Sequence, residues 1–252
     1  MENPRRILVV EDNLLNQKLV ETILAKRGHN VVVAANGQEA LEAFADGGFD
    51  VVLMDIKMPI MDGLSAFRRM RAEPEKYGGA NLPVVAMTAH ALASDPITYM
   101  EAGMSGFLSK PFKPQDLIAV VEQQFAGSDQ NFDDGGGNAA MELNRASILD
   151  NFMDDEELLF ESIDLFLERI PPRMAVLKKA VAEKNPDVFM PEAHTLKGMI
   201  GIFSVDGAFE AAKTLELKGQ KNVTDGIDED MRLLESEVEL LVGALRLWRS
   251  EG

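Results

Sequence analysis

Residues 50–63 read DVVLMDIKMPIMDG. Four consecutive apolar side chains at 51–54 run into a carboxylate, Asp55, and the chain then passes through Lys57, Pro59 and Gly63. A continuous apolar run of this length suits a strand covered on both faces, because a strand with one wet face alternates polar and apolar residues. A carboxylate at the carboxyl end of such a strand stands on the rim of its sheet. What else reaches that rim decides both the fold and the chemistry.

Working outward, four more short runs resemble the first: RRILVV (5–10), NVVVAA (30–35), LPVVAM (82–87) and SGFLS (105–109). Amphipathic stretches separate them. Leu15, Leu19, Val20, Ile23 and Leu24 form one apolar face, Ala40, Leu41 and Phe44 a second, and Leu64, Phe67 and Met70 a third. SDPITYMEA places Ser94 and Asp95 ahead of a proline, a helix-starting signal, and Leu117, Ile118, Val121 and Phe125 close the series. Five strands alternating with five helices predict an α/β domain over residues 1–126, a five-stranded doubly wound parallel sheet with helices on both faces.

In an open parallel sheet, ligands bind beyond the carboxyl ends of the strands. Glu11 and Asp12 follow the first strand, Asp55 ends the third, Thr88 the fourth, and Lys110 the fifth, with Pro111 behind it. Three carboxylates on one rim repel one another, so the site calls for a cation. All-oxygen ligands without Cys or His point to Mg²⁺, with water completing the octahedron. A carboxylate beside Mg²⁺ is a nucleophile toward phosphorus, giving an aspartyl phosphate. Lys110 can hold one phosphoryl oxygen and Thr88 another. Any one polar residue at a strand end can simply face solvent; five in this order are far harder to dismiss.

Residues 127–140, GSDQNFDDGGGNAA, lose all periodicity and read as a flexible linker. The DDGGG within it follows no strand, so it is no nucleotide-binding loop. Residues 141–252 read as an all-α antiparallel four-helix bundle. DDEELLFESIDLFLERI (154–170) is one helix, the proline pair at 171–172 restarts another, and Pro191 bends the early part of the next. Within that next helix, AHTLKGMIGIF (193–203) holds one of the chain's three histidines. His194, Lys197, Gly198 and Gly201 share one stripe, while Phe189, Leu196, Ile200 and Phe203 suit the core. A glycine one turn beyond a histidine keeps the approach to the imidazole clear, and Lys197 offers positive charge to a phosphoryl group on the ring. A helix histidine can equally pair with a neighbouring acid. His29 and His90 read as surface residues.

The motifs ILVVEDN, DVVLMDIKMPIMDG, PVVAMTAHA and FLSKPF resemble the receiver domain of two-component response regulators, over residues 4–126. That resemblance implies Asp55 as phosphoacceptor, and Mg²⁺ on Glu11, Asp12, Asp55 and the backbone carbonyl of Lys57. It further implies Thr88 and Lys110 on the phosphoryl group, a cis Lys110–Pro111 bond, and a switch formed by Thr88 and Phe107. A Phe without the common Tyr hydroxyl could switch by packing alone. EAHTLKGMIGIF, with the later AAKTLE, resembles the histidine phosphotransfer (HPt) domain, which implies His194 as a second phosphoacceptor with Lys197 and Gly198 serving it. Met199 stands where that family usually has a small residue; it either packs inward or narrows the approach to His194.

Composition bounds the rest. The chain has 252 residues, 25 Lys and Arg against 42 Asp and Glu, a net charge of −17, and no Cys. Residues 1–126 carry −4 of it and the remainder −13. Such a chain repels nucleic acid and anionic membranes, and disulfides, thiolate metal sites and thiol nucleophiles are excluded. The expected role is a cytoplasmic phosphorelay intermediate, with no membrane insertion and no ATP-dependent kinase domain in this sequence. The expected partners are an upstream histidine kinase and a downstream receiver. A phosphorylation-switched adaptor and a phosphate sink remain as alternatives.

Overall fold

A computed structural model of the chain describes residues 4–77, 81–88, 95–126, 145–203 and 206–251. The chain divides into two compact units, Met1–Gly136 and Gly137–Gly252. The linker reading of 127–140, His90 and Ser94 lie outside the described residues.

In the first unit five strands, β1 (Arg6–Val10), β2 (Asn30–Ala34), β3 (Val51–Asp55), β4 (Val84–Thr88) and β5 (Gly106–Ser109), form one all-parallel sheet in the order β2-β1-β3-β4-β5. The helices are α1 (Leu14–Lys26), α2 (Gly37–Asp46), α3 (Gly63–Ala72), the short α4 (Pro74–Tyr77), α5 (Asp95–Glu101) and α6 (Pro114–Ala126). This is the α/β class that the sequence predicts, with α4 as an unforeseen extra turn.

Leu8, Val10, Val52, Met54, Val84 and Ala86 point to one face, where Phe44 of α2 and Phe67 and Met70 of α3 cover them. Ile7 and Val9 point the other way and are equally buried. The reading of all five strands as doubly covered needs correction at both edges of the sheet, since β5 is half-buried except at Leu108. β3 and β4 are buried throughout, but β2 is exposed at its start and half-buried over Val31–Val33. Sheet order explains this, since β2 and β5 are the edge strands and an apolar run cannot announce that. The order reverses at β1, so the loops after β1 and β3 open side by side, and the rim that carries Glu11, Asp12 and Asp55 lies there.

The second unit comprises α7 (Arg145–Asp150) and four long helices, α8 (Glu156–Ala182), α9 (Pro186–Gly201), α10 (Asp206–Gln220) and α11 (Ile227–Glu251). Both α9 and α11 pack on α8 and on α10, so α9 and α11 occupy opposite corners of the bundle. Phe166, Phe189, Leu196, Phe203, Leu215 and Leu241 fill the space between. Phe203 sits edge-on to Phe166 with ring centroids 5.1 Å apart.

The helix break expected at 171–172 is absent: α8 runs through both prolines. Each proline removes one backbone donor, leaving the carbonyls of Leu167 and Glu168 without their helical partners. Both prolines face solvent. The buried stripe of Phe166, Ile170, Leu177 and Val181 continues past them, and that packing holds the helix together. Pro191 likewise stands inside α9.

Candidate functional site

Asp55 ends β3 with its side chain buried, Glu11 follows β1 and is also buried, and Asp12 beside it is half-buried. One carboxylate oxygen from each lies within 4.8 Å of the others. Lys110, delivered by the loop after β5, bridges two of them: its Nζ is 2.5 Å from Asp55 Oδ2 and also pairs with Glu11 Oε2. The other oxygen of Asp55 accepts the Lys57 N–H at 3.0 Å. Glu11 Oε1 accepts from Asn16 Nδ2 at 2.9 Å. The Lys110–Pro111 bond is cis.

Thr88, at the end of β4, is buried and lies in register with Ser109 of β5, and its carbonyl accepts the Lys110 N–H at 2.7 Å. Phe107, two residues before Ser109, packs partly buried against the core on the Leu8 face. Gly63 closes the arrangement. Its N–H donates to Ile56 O at 3.0 Å, and a Cβ placed on it would collide with the backbone oxygen of Asp55. The loop that follows Asp55 therefore folds back only because residue 63 has no side chain. Asp62 caps α3 through the Ser65 N–H at 2.8 Å.

Burial pushes the Glu11 carboxyl up to about 7, against the pull of Lys110 and with a further push from Asp55. Burial works against the Lys110 ammonium, but Asp55 and Glu11 outweigh it and hold its pKa above the ordinary lysine range. One ammonium thus bridges two carboxylates, with the third, Asp12, beside them. The donor set, hard oxygens only, fits a small divalent cation such as Mg²⁺.

The second site lies between α9 and α10. His194 Nδ1 is 2.8 Å from Glu216 Oε1, and Lys197 Nζ pairs with Glu216 Oε2. Gln220 Nε2 donates to Glu216 Oε1 at 3.0 Å. Exposure falls from 15% for the His194 side chain to 1% for Lys197 and 0% for Glu216. Burial opposes ionisation of Glu216, but hydrogen bonds and charge from His194 and Lys197 prevail and hold its pKa far below the carboxylate range. An ionised carboxylate only accepts, so in the neutral ring it is Nδ1 that carries the proton and Nε2 that keeps its lone pair.

The polar stripe read from the sequence is therefore corrected at two places. Lys197 does not face solvent: its ammonium is buried on Glu216, because position 197 turns toward α10. Gly201 is buried as well, while Gly198 is half-buried. Phe189, Leu196, Ile200 and Phe203 are in the core as read, and Met199 packs inward. His29 is half-buried, its Nδ1 accepting the Arg5 N–H at 3.3 Å. Sequence reasoning missed Glu216. The signal was present: on α10 the stripe Ala208, Ala211, Ala212, Leu215 is completed by a glutamate, and a charge in a buried stripe needs a partner.

Residues 7–122 match the response regulator receiver domain and residues 161–248 match the Hpt domain. The chain thus carries a receiver domain followed by an Hpt domain, a pairing that supports phosphorelay signalling. It is 30% identical over 250 residues to the sensor protein GacS of Pseudomonas syringae pv. syringae, covering 95% of this chain and 28% of that one. To the aerobic respiration control sensor protein ArcB of Escherichia coli strain K12 it is 27% identical over 252 residues, 96% of this chain and 31% of that one. This chain spans less than a third of either relative. Among solved structures, the receiver domain of the sensor histidine kinase PA1611 from Pseudomonas aeruginosa is 36% identical. That match covers 48% of this chain and 98% of that one, with a TM-score of 0.44.

Proposed function

We propose that the chain is a phosphorelay intermediate: Asp55 accepts a phosphoryl group from a histidine kinase, and His194 carries one to or from a receiver. The observation that supports this most strongly is the cradle at the carboxyl edge of the sheet, where Glu11, Asp12 and Asp55 converge and Lys110 bridges two of them. An oxygen of Asp55 attacks the phosphorus of a phosphohistidine. The P–O bond forms as the P–N bond breaks, and the departing imidazole keeps the bonding pair. Lys110 turns from the carboxylates to a phosphoryl oxygen, and Thr88 donates to another. Glu11, Asp12, Asp55 and the backbone carbonyl of Lys57 would hold Mg²⁺, and the ion would supply charge neutralisation for the transferring oxygens.

At the second site, Nε2 of His194 attacks the phosphorus of an aspartyl phosphate, and the carboxylate leaves. Glu216 holds the Nδ1 proton throughout and so balances the positive charge that builds on the ring. Lys197 serves by holding Glu216 in place, not by meeting the phosphoryl group. Gly198 leaves the approach to the ring free of a side chain. Thr88 and Phe107 report phosphorylation by repacking. The cytoplasm, where ATP-derived phosphoryl groups are made, is the compartment this reading requires. Intact mass after incubation with acetyl phosphate and Mg²⁺ tests it: at least one phosphoryl group is expected, and none in Asp55→Asn or in excess chelator. Full labelling of Asp55→Asn would contradict the assignment.

A further inference from the structure

Helix α11 is apolar on two faces. The inner face, Met231, Leu234, Val238, Leu241, Leu245 and Trp248, is buried in the bundle. The outer face lies two positions on in sequence, roughly 200° round the helix. Leu233, Leu240 and Leu247 stand on it, 53%, 63% and 56% exposed. Ser236 and Gly243 come between them and Ser250 follows Leu247, all three exposed. Leucine and small residues thus alternate at the three-then-four spacing of a coiled-coil seam.

We propose that this seam pairs, antiparallel, with the same seam on a second copy of the chain, about a two-fold axis between Leu240 and Gly243. The pattern is self-complementary in that one register. Leu240 falls opposite Gly243, Leu247 opposite Ser236, and Leu233 opposite Ser250, so every layer joins one large and one small side chain. A Cβ added at Gly243 would meet nothing within 4 Å, so the place for the incoming leucine is open. Ser250 Oγ donates to Leu247 O at 2.7 Å, so it brings no unpaired hydroxyl to the seam. Parallel pairing would stack leucine on leucine and glycine on glycine, leaving every second layer void.

Charge points to the same partner. Glu239 and Arg246 flank the seam on one side, both exposed, and among the described residues neither makes an ion pair. The antiparallel register sets Glu239 of each copy beside Arg246 of the other, twice by symmetry. Two chains of net charge −17 repel at long range, so they join only where such local complementarity exists. The seam is a single helix pair about 26 Å long, so the assembly exchanges with monomer as concentration changes. α11 occupies the corner opposite α9, so pairing leaves His194 open, and the dimer presents two phosphotransfer histidines.

Sedimentation equilibrium of the full chain tests the pairing. The mass is expected to rise with concentration from 27.7 kDa toward twice that value. Leu240→Glu should stay monomeric at every concentration. Glu239→Arg should weaken association about tenfold, and adding Arg246→Glu should restore it. The chain has no Cys, so single substitutions report the geometry. Ser236→Cys mixed with Leu247→Cys should cross-link, whereas Ser236→Cys alone should not, because its two copies stand about 16 Å apart along the axis. A wild-type chain that stays monomeric, a dimer indifferent to Leu240→Glu, or self-cross-linking of Ser236→Cys would each overturn the proposal. Phosphotransfer by Leu240→Glu is expected at the wild-type rate, so this proposal and the relay reading fail separately.

Discussion

Glu216 carries three interactions at once, with His194, the Lys197 ammonium and Gln220 Nε2, and is wholly buried while doing so. Removing one partner of a buried ion pair leaves the other charge uncompensated. Glu216→Ala should therefore cost the bundle about 3–5 kcal/mol, read as a lower urea midpoint. Glu216→Gln keeps the shape and some hydrogen bonds and should cost less. The pH dependence follows from the sign of the shift. The folded carboxyl lies far below its ordinary 4.5, so its contribution is complete above that pH and drains away as the pH falls further. Glu216→Gln should flatten that acid limb; an unchanged limb would mean that other carboxylates set it. In the first unit, Gly63→Ala drives a methyl into the carbonyl of Asp55. It should cost about 1–3 kcal/mol and reduce labelling of Asp55 by acetyl phosphate. Asp55 and Lys110 were legible because strand ends must converge on one rim. Glu216 was not, because its role exists only once α10 packs on α9, and Lys197 was misread for the same reason.

At the scale of elements, the strands stood out because parallel sheets demand unbroken apolar runs. β2 reads like β1 in sequence and differs only in its neighbours, which no local pattern contains. Pro171 and Pro172 show the opposite failure, where a strong local signal loses to tertiary packing. Both lie exposed on α8, so replacing them removes no core contact. An interior helix proline costs about 3 kcal/mol relative to alanine, offset by up to about 1 kcal/mol through the unfolded chain. Pro172→Ala should thus raise stability by about 1–2 kcal/mol, measured as a higher urea midpoint. A lower midpoint would show that the prolines are built into the packing of the bundle.

At the scale of the whole molecule, two candidate acceptors of different chemistry, Asp55 and His194, lie in one chain. On the proposed relay, Asp55 would form an acyl phosphate, labile in alkali, and His194 a phosphoramidate, labile in acid and stable in alkali. The net charge of −13 over residues 127–252 adds a condition. Encounter with an acidic partner is opposed at low salt, so transfer should quicken as ionic strength rises toward about 0.1 M, where the screening length falls to ~10 Å. The most direct measurement gives the full chain acetyl phosphate and Mg²⁺, then sorts the label by its stability in alkali and maps it to residues. The account predicts alkali-labile label on Asp55 and alkali-stable label on His194. Asp55→Asn should lose both, and His194→Gln should lose the alkali-stable fraction alone. Alkali-stable label that survives in Asp55→Asn, or a wild-type chain labelled at Asp55 with none on His194, would contradict the relay.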